Sequence, residues 1–241
     1  MRQAIDAGHG WHNKKQGVFD PGAVNGIYFE HNLNAELAHM VDAELQGYED
    51  VRTLLIESGL LYSRDNRAAS WNADQYAAIH FDSFDQTVSG TTVFTNRGKG
   101  VGSAEYVMAH RVGRALALAQ GIPFRGVRQM DFAVLAGRQP DILIEVCFMS
   151  NNAELANYIA KKREVAHAIA SALAHGIDSK KKEEEDDMQY DHEKVSVHLG
   201  TDAKSLAVKA AIKQLADDNG KAAVVTPTFR DSWRGWLGTK L

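Results

Sequence analysis

Residues 4–10 read Ala-Ile-Asp-Ala-Gly-His-Gly, a short apolar segment that stops at a histidine between two glycines. We expect residues 3–7 to form a β-strand, which places His9 just past the strand's carboxyl end, where open α/β sheets bind their ligands. The two glycines let the chain turn sharply on either side of the imidazole. The pattern favours a supported, accessible histidine that binds a metal or acts in catalysis, and a turn histidine without chemistry is the alternative.

Two further potential metal ligands lie at the ends of predicted elements. Glu30 stands at the start of a helical pattern, and His80 ends the short apolar segment 76–80. Two imidazoles and one carboxylate are the ligand set of a catalytic zinc site that keeps one position open for water. The sequence therefore predicts a Zn²⁺ site formed by His9, Glu30 and His80.

Zinc hydrolases also need a base, and Glu145 is the candidate because it interrupts the apolar run 142–148. An unpaired charge inside a strand is strongly disfavoured, so this carboxylate must either lie at the sheet end or be paired. A structural ion pair with Arg64 or Arg128 is the alternative. Strand alternation predicts that Cys147 shares the face of Glu145, and we expect this cysteine to be a core residue rather than a nucleophile.

The elements that must position these residues follow from apolar periodicity. Strand patterns alternate with helix patterns, which predicts an α/β fold with a twisted, mainly parallel sheet flanked by helices. The continuous apolar run 142–148 is typical of a strand covered on both faces. Predicted strands cover 3–7, 51–57, 76–80, 91–95 and 142–148, and predicted helices cover 29–45, 64–72, 104–119 and 153–175.

Composition excludes several classes of function. The net charge of −4 over 241 residues argues against a nucleic-acid partner. No apolar run approaches the roughly 20 residues that span a bilayer, so we expect no membrane segment. The amino terminus shows no basic region followed by an apolar core, so we expect synthesis in the cytoplasm without a signal peptide. A single cysteine excludes an internal disulfide.

The composition changes sharply near residue 178. Residues 178–190 contain three lysines and six acidic residues, which indicates a solvated linker. We therefore expect a catalytic domain at 1–177, the charged linker at 178–190, and a small α+β module at 191–241. The module is near the lower size limit for independent folding. Within it the pattern predicts strands at 195–199 and 222–225 and a helix at 202–217.

Several segments together resemble the zinc-dependent N-acetylmuramoyl-L-alanine amidases of the Amidase_3 type, in the family's order, over residues 1–177. The segments that carry the resemblance are Ile5 to Gly10, Gly22-Ala23, Glu30 to Leu33, Arg64, Ala73-Asp74, Ile79-His80, Leu143 to Glu145 and Phe148 to Asn151. The resemblance implies the same sheet architecture, His9, Glu30 and His80 as zinc ligands, and Glu145 as the catalytic glutamate.

The chain also departs from that family. The family often has Ser-Ile-His-x-Asn where residues 78–82 read Ala-Ile-His-Phe-Asp, and often has asparagine where Ala69 stands. These positions are not ligands, so the departures bear on substrate contacts. The contacts assigned from the resemblance are Arg64, Phe81 and Asp82.

The implied reaction is hydrolysis of the amide bond between N-acetylmuramic acid and L-alanine of the peptidoglycan stem. A catalytic domain, a charged linker and a small module, made without an export signal, resemble a phage endolysin that a holin releases. The alternatives are a zinc peptidase that cuts within the stem peptide, a host autolysin exported by another route, and a non-catalytic wall-binding protein.

The carboxyl-terminal module carries two further expectations. Trp233 and Trp236, beside arginines, would bind sugar or teichoic acid groups of a cell-wall polymer, or else pack a core or a dimer face. Codons for residues 182–185 can spell a ribosome-binding site ahead of Met188. An internal start there would produce a free fragment that pairs with the module of the full-length chain.

Overall fold

The computed structural model describes residues 1–179, 194–198 and 222–226. The chain divides into two compact units, Met1–Lys180 and Lys181–Leu241. The larger unit contains the strands β1 (Arg2–Ala7), β2 (Gly10–Trp11), β3 (Phe19–Asp20), β4 (Val24–Asn25), β5 (Tyr28–Phe29), β6 (Arg52–Ile56), β7 (Gln75–Asp82), β8 (Thr91–Thr95), β9 (Phe124–Gln129) and β10 (Asp141–Phe148). Its α-helices are α1 (Glu30–Leu45), α2 (Arg64–Ser70), α3 (Ala104–Gln120) and α4 (Asn152–Leu173), with 3-10 turns at Leu61–Ser63 and Ala133–Leu135.

Six strands form the central sheet in the order β6-β1-β7-β10-β8-β9. Every neighbouring pair is parallel except β10 and β8, which are antiparallel. This confirms the predicted mainly parallel sheet flanked by helices, and each element predicted within residues 1–177 is present within two residues of its expected bounds. The sequence pattern missed β9, because its arginines and glycine break the apolar alternation.

Both faces of the sheet are covered, which explains why its central strands read as continuous apolar runs. Successive side chains of a strand point to opposite faces. Ile5 and Ala77 accordingly join a larger core with α1, α3 and α4, whereas Ala4 and Tyr76 join a smaller core with α2 and the second 3-10 turn.

The two long helices of the larger core have side-chain or glycine signals at their ends. The Ser103 hydroxyl accepts a hydrogen bond from the Tyr106 N–H at the start of α3, and Gly121 ends that helix in the left-handed conformation with φ 70°. The Asn151 side chain caps α4 by accepting from the backbone N–H groups of its first turn. These caps fix where each helix meets the sheet.

The central strands bring the predicted site residues together. β1, β7 and β10 are adjacent and parallel, so their carboxyl ends meet at one edge of the sheet. His9 follows β1, and His80 in β7 pairs in register with Glu145 in β10. The sheet topology therefore places His80 and Glu145 on neighbouring strands, and His9 two residues beyond the end of the adjacent strand β1.

An irregularity in β10 corrects one expectation. The register against β7 shifts between Glu145 and Phe148. Leu143 packs in the smaller core, but Val146 and Cys147 both pack in the larger one. Cys147 is a buried core residue as expected, yet the shift turns it to the face opposite Glu145 instead of the same face.

In the second unit, β11 (Lys194–His198) and β12 (Ala222–Thr226) pair in parallel. They lie where the strands at 195–199 and 222–225 were predicted. The predicted helix at 202–217, the internal start at Met188, and Trp233 and Trp236 lie outside the described residues. Of the helices that the structure describes, none has the length and apolar character that a membrane span requires.

Candidate active site

The structure brings His9, Glu30 and His80 together at the sheet edge, where one potential ligand atom from each lies within 4.8 Å of the others. The Nε2 atom of His9 is 3.0 Å from Oε1 of Glu30, and the Nδ1 atom of His80 is 2.9 Å from the same oxygen. In the part of the chain that the structure describes, this is the only such group of potential metal ligands.

The surroundings of Glu30 keep its carboxylate ionised. Its Oε1 accepts a hydrogen bond from the Phe81 N–H at 3.2 Å, and its Oε2 accepts one from the Ala23 N–H at 2.8 Å. Burial raises the pKa of Glu30, but the hydrogen bonds with His80 and His9 lower it by more than burial raises it. The net pKa therefore lies well below its usual range. Its place in the first turn of α1 also favours negative charge.

Asp20 orients His9 from the side away from Glu30. The Nδ1 atom of His9 lies 2.9 Å from Oδ2 of Asp20. A metal bound at Nε2 would replace the proton that Nε2 shares with Glu30, while Nδ1 would keep its proton for Asp20. The Asp20 carboxylate also accepts hydrogen bonds from the Asn13 amide at 2.7 Å and from Lys14 at 3.1 Å. Sequence reasoning missed Asp20, and the only available signal was an acidic residue in the glycine-rich loop after His9.

The backbone around the site depends on two glycines. A Cβ atom at Gly8 would lie 2.3 Å from Nε2 of His80. Gly22 has φ +69°, and a Cβ there would lie 2.5 Å from Oε2 of Glu30 and 2.7 Å from Cδ2 of His9. The ligand side chains therefore occupy the space that any other residue at these two positions would need.

Arg64 does not contact the substrate as predicted. Its guanidinium is fully buried and bonds to Oδ1 of Asp6 at 2.5 Å, to the Ala7 carbonyl at 2.9 Å and to the His9 carbonyl. Its Nε donates to the Gly59 carbonyl at 3.1 Å. Arg64 thus supports the His9 loop from inside the protein.

The two other predicted substrate contacts differ from each other in position. The Phe81 ring is buried and packs edge-on against Tyr158, with ring centroids 4.7 Å apart, so it faces the core instead of a substrate. Asp82 is half-buried and lines the cavity described next. Burial raises the pKa of Asp82 above its usual value. Its contact with substrate stays a prediction.

Glu145 lines a cavity of about 360 Å³, called here the site cavity. Its Oε2 is shielded from solvent and has no hydrogen-bond partner among the described residues. Burial raises the pKa of Glu145 well above its usual value, and the negative charges of Glu30 and Asp82 raise it further. The residues that share this cavity with Glu145 include His9, Glu30, His80 and Asp82.

The alternative interpretation of Glu145 as a structural ion pair is wrong. Arg64 pairs with Asp6 instead, and Glu145 has no ion pair with Arg128 or with any other residue that the structure describes. An unpaired buried carboxylate is costly, so its presence beside three potential metal ligands indicates a functional role.

A larger cavity of about 730 Å³ lies elsewhere, between α1, α3 and α4. It is lined mainly by side chains of α3 and α4 and contains none of the three potential ligands at the sheet edge. Its size alone gives it no chemistry, and the site cavity is the candidate active site.

The donor set fits a zinc ion. Zinc–ligand bonds of about 2.0–2.1 Å in a tetrahedron place neighbouring donor atoms roughly 3.3 Å apart. The two distances from Glu30 to the imidazole nitrogens, 3.0 and 2.9 Å, are close to that spacing. Three protein ligands leave one position for water or substrate, and Glu145 faces the same cavity.

A family model described as N-acetylmuramoyl-L-alanine amidase matches residues 4–179. The fold is also similar to that of solved amidase structures. The catalytic domain of the amidase CwlV from Bacillus (Paenibacillus) polymyxa var. colistinus matches at 27% identity and a TM-score of 0.63, covering 72% of this chain and 96% of that one. Amidase AmiC2 of Nostoc punctiforme matches at 25% identity and a TM-score of 0.61, covering 72% and 94%.

The amidase from Clostridium difficile 630 is similar in fold alone, at 21% identity and a TM-score of 0.64, covering 71% of this chain and 94% of that one. Comparison with curated protein sequences gives no significant match.

Proposed function

The chain belongs to the N-acetylmuramoyl-L-alanine amidase family, and on this premise we propose that it cleaves peptidoglycan with a zinc ion held by His9, Glu30 and His80 and with Glu145 as general base. The bond cleaved is the amide between N-acetylmuramic acid and L-alanine. The observation that carries the proposal is the unpartnered Oε2 of Glu145 in the cavity that also contains the three potential ligands.

A zinc ion bound there would polarise the amide carbonyl and lower the pKa of a water molecule. The chain itself supplies the proton transfers. Glu145 takes a proton from the attacking water as the water oxygen bonds to the amide carbonyl carbon. The C–N bond then breaks, and Glu145 gives the proton to the departing amino group of L-alanine. Because no described residue bonds to Oε2, this oxygen is open to accept that proton.

The decisive experiment compares wild type with Glu145→Gln for zinc content and for clearing of purified cell walls. We expect wild type to hold one zinc ion per chain and to clear walls. The variant should keep its zinc and lose roughly 10²–10⁴-fold in rate, as expected for loss of a general base. Glu164→Gln is the matched control, because Glu164 is exposed on α4.

Two results would contradict the proposal: wild type that binds no zinc, or Glu145→Gln that clears walls at the wild-type rate. Chemical analysis of the released termini separates the amidase from a zinc peptidase. Only an amidase frees the amino group of L-alanine, whereas a peptidase frees an amino group further along the stem.

We further propose the cellular role of a phage endolysin. Its support is the division into two compact units whose boundary in the sequence falls within the charged segment 178–190, a division that suits a lysin with a catalytic domain and a small accessory module. Expression in host cells with and without a holin tests this role. An endolysin lyses cells only when the holin is present, whereas a host autolysin acts on the wall without it.

A further inference from the structure

A second, smaller cavity of about 260 Å³ adjoins the site cavity, and the half-buried carboxylate of Asp82 lines both. Two arginines of strand β9 line it, and aromatic residues form much of its remaining wall. We call it the arginine cavity. Its principal lining residues are Arg125, Arg128, Phe84, Phe94, Phe148 and Asp82.

A local irregularity in β9 explains how both arginines reach one cavity. Residues three apart on a regular strand point to opposite faces. Here the pairing of β9 with β8 shifts, with one extra residue on β9, and Gly126 between the arginines has φ +98°. A bulge of this kind re-aims the side chains that follow it. Arg125 and Arg128 therefore line the same cavity.

The two guanidinium groups are held differently. Arg125 donates to the Ser89 carbonyl at 3.1 Å and lies 5.2 Å from the centroid of the Phe148 ring, so its position is fixed. The Arg128 side chain is exposed. Its guanidinium has no hydrogen bond or ion pair with another residue that the structure describes.

Asp82 is the only acidic residue that lines the arginine cavity among those described, and the charges of Arg125 and Arg128 both act on its carboxyl. The cavity thus has two positive charges and one negative charge. Its surplus positive charge suits an anionic ligand.

We propose that the arginine cavity binds a carboxylate of the peptide stem. This inference rests on the proposed function and extends it to substrate recognition. The lactyl carboxyl of the glycan is consumed in the scissile amide, so free carboxylates of the substrate lie on the stem: at its second residue, at a dicarboxylic third residue and at its carboxyl terminus. The proposal concerns the first two, which lie nearer to the scissile amide. Guanidinium groups bind carboxylates through paired, charge-assisted hydrogen bonds.

The size of the arginine cavity indicates that it binds one part of the substrate and is not a separate site for a whole small molecule. Sites for whole small molecules usually measure about 300–1,000 Å³, and this one is smaller and adjoins the site cavity. The aromatic wall would pack against the methylene groups that carry the carboxylate. The stem is the part of the substrate that combines such methylene groups with a terminal charge.

The experiment measures kcat/KM for four muramoyl peptides with wild type, Arg128→Gln and Arg114→Gln. The peptides carry D-glutamate or D-isoglutamine at the second position, and meso-diaminopimelate or L-lysine at the third. Each pair compares a carboxylate with a neutral or cationic replacement. Arg114 is the matched control because it is an exposed arginine on α3, away from both cavities.

We expect wild type to prefer the carboxylate peptide at one of the two positions by about tenfold or more, the effect of one charge-assisted hydrogen bond. That ratio should fall to near one in Arg128→Gln and persist in Arg114→Gln. The position at which it falls identifies which stem carboxylate is bound. A ratio in Arg128→Gln equal to that of wild type at both positions would overturn the proposal.

Direct binding separates this inference from the amidase reaction itself. If wild type cleaves none of the four peptides, the proposed function fails, and calorimetry with the free stem tripeptides then decides about the cavity. Tighter binding of a carboxylate tripeptide to wild type than to Arg128→Gln, by about tenfold, would support the subsite. Equal affinities would overturn it.

Discussion

The carboxylate of Asp20 accepts a hydrogen bond from Nδ1 of His9, on the side of the imidazole ring away from Glu30. We predict that Asp20→Ala weakens zinc binding about 10–100-fold, the usual effect of removing such a partner. Competition with a chelator of known affinity measures it. Lys14→Ala is the control, because Lys14 is largely exposed and contacts only the other oxygen of the same carboxylate. An unchanged zinc affinity in Asp20→Ala would show that the loop backbone alone orients the ring.

At this scale the sequence identified His9, Glu30, His80 and Glu145 as a group, because each lies in or beside an element whose ends periodicity can locate. The structure places all four around one cavity. The role of Asp20 was not predicted, because its contact with the His9 imidazole depends on how an irregular loop folds back onto His9. The burial of Arg64 was not predicted for a related reason. Sequence spacing does not show whether a charged side chain faces the solvent or the core.

Helix α2 begins at Arg64, whose buried ion pair with Asp6 joins this helix to β1. We predict that Arg64→Met lowers the free energy of unfolding by about 3–5 kcal/mol, because Asp6 would remain buried with Tyr76 as its remaining hydrogen-bond partner. Urea unfolding measures this. The exposed Arg67 in the same helix is the control, and Arg67→Ala should change the value by no more than about 0.5 kcal/mol. Similar losses in the two variants would refute a special role for the pair.

Strand β10 begins at Asp141, and burial raises the pKa of this carboxyl to about 7. The Gly137 N–H and Lys99 oppose that shift, while the charges of Glu105 and Asp65 add to it. In the unfolded chain the pKa is about 3.9. Between these values the folded state keeps a proton that the unfolded state has lost, so stability falls as pH rises from about 4 to 7 and stays lower above that.

Asp141→Asn removes this ionisation and keeps an oxygen that can accept from the Gly137 N–H. We predict that the variant is more stable than wild type at pH 8, by at most roughly 4 kcal/mol. At pH 4, where the wild-type carboxyl is protonated when folded, the difference should nearly vanish. Urea unfolding at the two pH values measures it, and a difference that does not change with pH would contradict the assignment.

Elements of regular pattern were predictable, and local departures from the pattern were not. Helices and buried strands repeat with fixed periods, which makes them visible in the sequence. The shift in β10 that turns Cys147 away from Glu145, and the bulge at Gly126 in β9, each change direction within one or two residues. Such irregularities depend on pairing with a neighbouring strand, and the chain alone gives no periodic signal for them.

At the scale of the whole molecule, alternating strand and helix patterns predicted the class of the larger unit, and its family and fold agree. The second unit is different. Its two described strands coincide with short apolar runs in the sequence. The sequence supplies no pattern, however, that specifies what the unit binds. Its role in cell-wall binding or self-association stays a prediction.

The internal start at Met188 also belongs to this scale. We predict that a fragment beginning at Met188 accompanies the full-length chain, and mass spectrometry of the purified protein detects it. Silent recoding of residues 182–185 changes the messenger RNA and leaves the protein identical, so a translated fragment should disappear. A fragment that persists after recoding is a product of proteolysis.

The glycines at positions 8 and 22 lead to a consequence for how this enzyme tolerates random variation. Neither carries a side chain, yet a single methyl group at either would overlap a potential metal ligand. In a library selected for wall lysis, these positions should therefore be as intolerant as His9, Glu30 and His80. Such a selection would find that almost no substitution is tolerated at two residues that take no part in the chemistry. The reason is that the side chains of the potential metal ligands occupy the space that a side chain at either glycine would need.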